Sequence, residues 1–542
     1  MAPSHSIASP STSTSDLGVA GERARLLRES AALWRGPLSP APVYYRIDPD
    51  VAGEGPRVWF AARPEDLVAP GTAAWPPAVA VQLLGRGVTV PLSPYDGVFQ
   101  LACGTSLRVA GGRVRLDMRE LDIKALTDMA DEAMPASADP GDRIAAALGL
   151  AMAHASAGGD LDGSSGDLTG SGEVIGGQIF PLREDVPSGV VVVGDGGGLG
   201  AAALVSAAGL ATPRVHVHVD VPVLDRRRGR IQDSVLPAER GKDLRIVDAS
   251  GQWARDMTNG PPPVGADPWR PGLDLLREAG LAGARVASGQ GLTALFTGGR
   301  PPGGRLGRGW QMLRFATPPA QLDGLPWWRA WRPKTWPRAT PAPAVSPVYR
   351  DWLLPPVQGL ASQVSAGHAY THLIPAGSPP LVQSIIGTVA GLLESSEPSW
   401  NDPVPRAVPA LIAVHPLVVG TALSLASRGQ LAGGFRDGRF VDAPLLRTLL
   451  PPRWRAADVW VYDRQRLLAA SVAVRRLATR AQREALAEQV SGSPWIDVPQ
   501  LRLVLADRDA MLAHAVRLHS LMAALGCYRD TLAAHPVPET PA

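Results

Sequence analysis

Short runs of alternating hydrophobic and polar residues fill the early part of the chain: PVYYRI around Tyr44, RVWFAA around Trp59, AVAVQLL from Ala78, GVTVPL from Gly87 and VFQLA from Val98. Alternation with period two places successive side chains on opposite faces of a strand, so each run predicts a half-buried strand. In SLRVAGGRVRLDM, Gly111-Gly112 supplies a two-residue hairpin turn. Together these runs predict an antiparallel β-rich region over residues 40–118. Residues 22–34 have helical spacing, and helices are predicted over 119–134 and 142–156, with Pro140-Gly141 between them and Asp142 placed to cap the second.

The pattern then breaks. Residues 158–177 are rich in Gly, Ser and Asp and read as a linker. Beyond it a four-valine strand, a glycine run, a small-residue helix over 201–208 and the strand RVHVHVD make a βαβ signal, which implies parallel pairing. A helix is expected over 274–284. Residues 352–393 and 407–427 are nearly or wholly free of charge, but prolines and histidines interrupt both tracts. They suit a buried core or a subunit contact better than a membrane span, which needs about twenty predominantly apolar residues. Near the end, Asp437-Gly438 marks a tight hairpin within 433–441. Amphipathic helices are expected over 464–490, where Leu467, Leu468, Val474, Leu477 and Leu486 share a face, and over 507–534.

The expected fold class is α+β or α/β multidomain. It has a flexible arm (1–20), an antiparallel β-rich domain with two helices (21–157), a linker (158–177), a βαβ-containing α/β domain (178–299), a basic connector (300–350) and a mainly helical C-terminal domain with a hairpin (351–542). A length of 542 residues accommodates several such units.

Charge changes this picture in one place. The net charge is only +3, yet residues 300–350 hold eight arginines and one lysine against the single acid Asp323, with five of the fifteen tryptophans. Guanidinium neutralises phosphate while a flat ring stacks on a base, so Arg305, Arg308, Arg314, Arg329, Arg332, Trp327, Trp328 and Trp331 are candidates for contacting a polyanion such as nucleic acid. A solvated connector has the same composition. Lysine occurs only three times in the whole chain, which fits a GC-rich coding bias and weakens any argument from arginine alone. The two cysteines, Cys103 and Cys527, form neither a disulfide framework nor a metal knuckle, and the N-terminus lacks the basic start and apolar run of a secretory signal. An intracellular location follows as the expectation.

Three motifs carry candidate chemistry. Gly194, Gly196, Gly198 and Gly200 lie between a strand and a helix, where backbone can approach a phosphate at the helix N-terminus, and Asp220 ends the next strand where an acid could hold a ribose hydroxyl. Read from Gly194, the dinucleotide fingerprint has Leu199 at its sixth position, and Asp195 puts negative charge in the loop. The GGLG portion resembles ubiquitin-activating-type adenylating enzymes, which implies adenylate binding there, although that family's further Arg, Lys and Asp residues have no located counterpart. His216, His218 and Asp220 share one face of a strand, and His368 and His372 form a second pair. Completing a metal site would require ligands from elsewhere, so no metal is expected. Residues 254–262 (ARDMTNGPP) and a later GQG resemble the connector of the leucyl aminopeptidase family. That family's metal-binding and catalytic stretches have no counterpart downstream, so aminopeptidase activity is not expected.

No nucleophile elbow, P-loop or zinc-ribbon spacing occurs. The leading expectation is therefore a non-enzymatic, homo-oligomeric, assembly-forming protein of shell or scaffold type, without a cofactor. The alternative is a nucleotide-binding α/β enzyme using the loop at 194–200.

Overall fold

The computed structural model describes residues 24–27, 32–39, 43–48, 55–61, 64–69, 72–84, 92–134, 139–157, 190–194, 199–200, 203, 216–219, 244–247, 285–289, 291–297, 351–364, 371–395, 409–431, 434–436, 439–441, 443–450, 477–527 and 529–533. Helices and antiparallel sheets are mixed, an α+β arrangement, with one parallel sheet among them.

Two antiparallel sheets form from the first part of the chain. One is four-stranded, in the order β1 (Arg25–Leu27), β4 (Arg57–Ala61), β3 (Tyr44–Asp48), β5 (Val98–Gln100). The other is three-stranded, with β6 (Thr105–Ala110) between β2 (Ala32–Arg35) and β7 (Arg113–Met118). Alternation sorts the side chains as expected. Tyr45, Val58 and Phe60 join Leu33, Leu107 and Val109 in one apolar cluster, while Tyr44 and Trp59 face the other way, against Leu67, Tyr95 and Val98. The β6–β7 turn is the expected one: Gly111 and Gly112 have φ of 56° and 69°, the left-handed values that a two-residue hairpin turn requires.

Three local expectations are corrected. Residues 22–34 hold the two short strands β1 and β2, not a helix, because Leu27, Leu33 and Trp34 bury themselves in sheets. The run from Ala78 lies in helix α1 (Pro76–Leu83), not a strand; Val79, Ala80 and Leu83 are fully buried, so no polar face reveals the helical period. Helix α2 (Ile123–Ala133) forms as expected, but α3 (Pro140–Ala157) begins earlier than predicted: Asp139, rather than Asp142, accepts from the Gly141 N–H at 2.8 Å.

The central sheet is parallel throughout. Its strands are β8 (Val190–Gly194), β9 (His216–Val219), β10 (Leu244–Val247), β11 (Arg285–Ser288) and β12 (Pro409–Leu411), in the spatial order β10-β9-β8-β11-β12. The parallel pairing implied by the βαβ signal is thus observed between β8 and β9.

Around this sheet lies the largest hydrophobic core. It combines Leu126, Ala130, Ile144 and Leu148 of α2 and α3 with Leu292 and Leu295 of the short helix α4 (Leu292–Leu295). To these are added Ile385, Ile386 and Val389 of α6 (Pro380–Ser395) and Val418, Val419 and Leu423 of α7 (Pro416–Ser427). Helix α3 packs against β8 and β11, and α2 packs against α7. The approach of α2 to α7 is close: a methyl group at Gly420 would overlap the Leu126 carbonyl oxygen.

An ion-pair network bolts these helices together. Asp131 of α2 pairs with Arg143 of α3, which is 1% exposed, and with Arg428 at 2.6 Å, and it accepts from the Ser424 hydroxyl at 2.9 Å. Burial alone would push the Asp131 carboxyl up; hydrogen bonds from Ser424 and Arg143 and the charges of Arg143 and Arg428 outweigh it and hold the carboxyl below its ordinary value.

A second core forms where α1 meets α5 (Pro355–Val364) and the C-terminal helices. After the antiparallel pair β13 (Gly434–Arg436) and β14 (Arg439–Val441) and the short α8 (Pro444–Thr448), these are α9 (Arg480–Gln489), α10 (Val498–Ala506), α11 (Arg508–Ala513), α12 (Ala515–Cys527) and α13 (Arg529–Ala533). The pair β13–β14 matches the predicted hairpin. The single helix expected over 507–534 is instead three segments, and residues 464–476 lie outside the described residues. Trp352 and Trp495 are fully buried here, and Asp351 pairs with Arg517 at 2.6 Å. No helix among the described residues is long and apolar enough to cross a membrane. Of the two uncharged tracts, α7 is buried along nearly its whole length, whereas α5 and α6 bury only one face, with Val357, Ile385, Ile386 and Val389 inside and Gln358, Gln383, Ser384 and Gly387 exposed.

Candidate functional site

Because every strand of the central sheet runs the same way, Gly194, Val219, Val247, Ser288 and Leu411 end at one common edge. From β8 the chain moves outward to β9 and β10 on one side, then returns to β11 and β12 on the other. The chain leaves β8 toward β9 and leaves β11 toward β12, so the direction of winding reverses between β8 and β11. In open parallel sheets this reversal point is where ligands bind.

Gly194 and Gly200, the two ends of the glycine-rich run, lie at that point. Gly194 ends β8, and the chain is helical again at Leu199, Gly200 and Ala203. Leu199 and Ala203 are anchored in the main core beside Leu292 and Leu295. Gly200 packs directly on the residues that follow β11: a methyl group there would overlap the Gly289 carbonyl oxygen and come 3.3 Å from the Leu292 Cβ. Close packing of a helix on a neighbouring strand is one of the jobs glycine performs in a dinucleotide-binding turn. Two residues after Gly289, Gly291 has φ of 79°, and Leu392 of α6 fills the space where its side chain would stand.

Of the candidate turn residues, Gly194 ends β8 and Gly200 packs on Gly289; Gly196, Gly198 and Asp220 lie outside the described residues. Asp220 follows Val219 directly, and Val219 ends the strand paired with β8. Gly289 and Gly291 were legible only as part of the GQG run, with no hint that they oppose the turn. Another signal was present: read from Gly196, the sequence Gly196-x-Gly198-x-x-Ala201 satisfies the fingerprint in its form with alanine in sixth position.

The histidine candidates divide. His216 and His218 sit in β9, which is paired on both sides, with His216 in register with Val192 and His218 with Gly194. His372 has a structural partner: its Nε2 lies 2.8 Å from the Cys103 carbonyl oxygen, beside Gly104, where a methyl group would overlap Leu373. His368 lies outside the described residues. Among the described residues, no group of three or more His, Cys, Asp or Glu could hold a metal ion. At the carboxyl end of β12, His415 caps α7, its Nδ1 accepting from the Leu417 N–H at 3.3 Å.

All the polyanion candidates (Arg305, Arg308, Arg314, Arg329, Arg332, Trp327, Trp328 and Trp331) and the aminopeptidase-like stretch 254–262 lie outside the described residues. No family model matches the chain, and no curated protein matches it.

Proposed function

We propose that the chain binds a nucleotide at the carboxyl edge of the parallel sheet, with the phosphates over the 194–200 turn, before the helical residues Leu199 and Gly200. The carrying observation is the strand order β10-β9-β8-β11-β12, which puts the reversal point beside that turn. Phosphate gains there from free backbone N–H groups and from the helix dipole. Asp220, following β9, is placed in sequence to accept from a ribose hydroxyl. On this reading the parallel sheet and its helices form a nucleotide-binding α/β unit, flanked by the antiparallel sheets on the N-terminal side and a mainly helical region on the C-terminal side. This is the alternative to the assembly expectation, and the strand order of the parallel sheet supports it.

Thermal unfolding of the full chain tests it. Millimolar ATP, ADP or NAD should raise the midpoint for the wild type, since a ligand at a hundred times its Kd adds about 2.7 kcal/mol to the native state. Gly196→Val, which blocks backbone approach, should remove the shift while leaving the midpoint without ligand unchanged. Absence of any shift with the wild-type protein would sink the proposal.

A further inference from the structure

Strand β7 is the outer strand of its sheet; among the described residues it pairs with β6 alone. The two-residue turn makes Ala110 and Arg113 a hydrogen-bonded pair, so Arg113, Arg115 and Asp117 turn their backbone groups toward β6. The Arg119 N–H donates to the Gly104 carbonyl at 2.8 Å, which continues the same alternation past the strand. The N–H and C=O groups of Val114, Leu116 and Met118 therefore point outward.

These three residues also share the side-chain face of Leu107 and Val109. Val114 packs into the core between the two antiparallel sheets, but Leu116 and Met118 overhang it, 45% and 59% exposed. A six-residue strand with an open backbone edge and bare apolar side chains is a template for pairing with another strand.

We infer that this edge joins two copies of the chain through antiparallel pairing of β7 with β7, about a two-fold axis at Leu116. In that register outward backbone groups meet outward groups. Leu116 lies opposite the partner's Leu116, Val114 opposite the partner's Met118, and Arg115 opposite the partner's Asp117. Symmetry repeats the last two pairs, so apolar meets apolar and the charges of Arg115 and Asp117 each meet their opposite. Neighbouring registers do worse. Centring on Arg115 or Asp117 sets a charge against its own copy, centring on Val114 sets Arg113 against Arg115, and centring on Met118 sets Leu116 against Glu120. In the favoured register Arg113 comes opposite the partner's Arg119, just past the strand, and in each copy the Arg119 guanidinium is already held over the Trp34 ring at 5.0 Å. The product is one continuous sheet, β2-β6-β7 running into β7-β6-β2 of the second copy. This surface is separate from the proposed nucleotide site and does not depend on it.

Native mass by light scattering, with circular dichroism to check folding, tests the inference on the full chain. Wild type should be dimeric. Asp117→Arg should halve the mass, because the introduced arginine faces the partner's Arg115 at two places. Arg115→Asp combined with Asp117→Arg should restore the dimer, a rescue that a purely structural defect would not show. Leu116→Cys should form an inter-chain disulfide under mild oxidation, since directly opposed residues bring their Cα atoms to about 5.5 Å. Met118→Cys should not, being displaced from its own copy. A monomeric wild type overturns the inference. So does an oligomer that Asp117→Arg leaves intact and Leu116→Cys fails to cross-link, or one in which a different protein accounts for the added mass.

Discussion

In the β6–β7 hairpin the two strands are joined by Gly111 and Gly112, and the register follows from that turn with no help from distant parts of the chain. The parallel sheet is fixed in the opposite way. Its strands β8 and β11 are brought together by α3, which precedes both in sequence, and α3 is in turn held by α2 and α7 through Asp131, Arg143 and Ser424. A sheet of the first kind needs only the right turn chemistry, and it is left with an open edge. A sheet of the second kind needs its helices in place first, and its strand order reverses between β8 and β11. The difference predicts that damage to the helix junction spreads to the parallel sheet, while damage to the hairpin stays local.

The strongest test removes the junction. Asp131→Ala leaves the buried Arg143 without its counter-charge and should cost about 3 kcal/mol in urea unfolding. It should also reduce nucleotide-induced stabilisation, although Asp131 is not part of the proposed nucleotide site. The pH dependence has a definite sign. The folded-state pKa of Asp131 is lowered, so its contribution is present above the ordinary carboxylate value and is lost as pH falls through the lowered one. The stability gap between wild type and Asp131→Asn should therefore close in acid; a constant gap would show that the charge itself does not matter.

A smaller effect is expected at the sheet's reversal point. Gly200→Ala should cost about 2 kcal/mol, because the new methyl group must displace backbone at Gly289 rather than a movable side chain. Smallest of the three is Gly112→Ala, at about 1 kcal/mol, for a left-handed residue with open space around it. Hydrogen exchange should confine that loss to β6 and β7. Spread of protection loss into β8 or β11 would break the contrast between the two sheets.

Legibility in the sequence followed the same division. YYRID and RVWFA announced their strands because one face of each enters the core between the antiparallel sheets while the other meets a second cluster. The Gly111-Gly112 turn was equally plain. Helix α1 misled because burial on all sides erased its period. For the candidate site, the turn after β8 and the acid after β9 could be read locally. Gly289 and Gly291 could not be, since nothing in a linear pattern says that β11 lies beside β8. Nor could Asp131, whose partners Ser424 and Arg428 come from a helix far along the chain.

That last separation bears on how the protein is made. Arg143 and Ser424 stand 281 residues apart in the chain. At synthesis rates of about 10 residues per second, roughly half a minute passes between the emergence of α3 and that of α7. During that interval Ile144, Leu148 and Leu126 have no apolar surface from α7 to rest on, and Arg143 has Asp131 but no serine hydroxyl beside it. The two N-terminal antiparallel sheets, whose strands all precede α3, can close on the ribosome; the parallel sheet must wait for β12 and the far end of the core. Closure of the main core is thus a late step of synthesis, and the faces of α2 and α3 that await α7 are natural places for a chaperone to hold the growing chain.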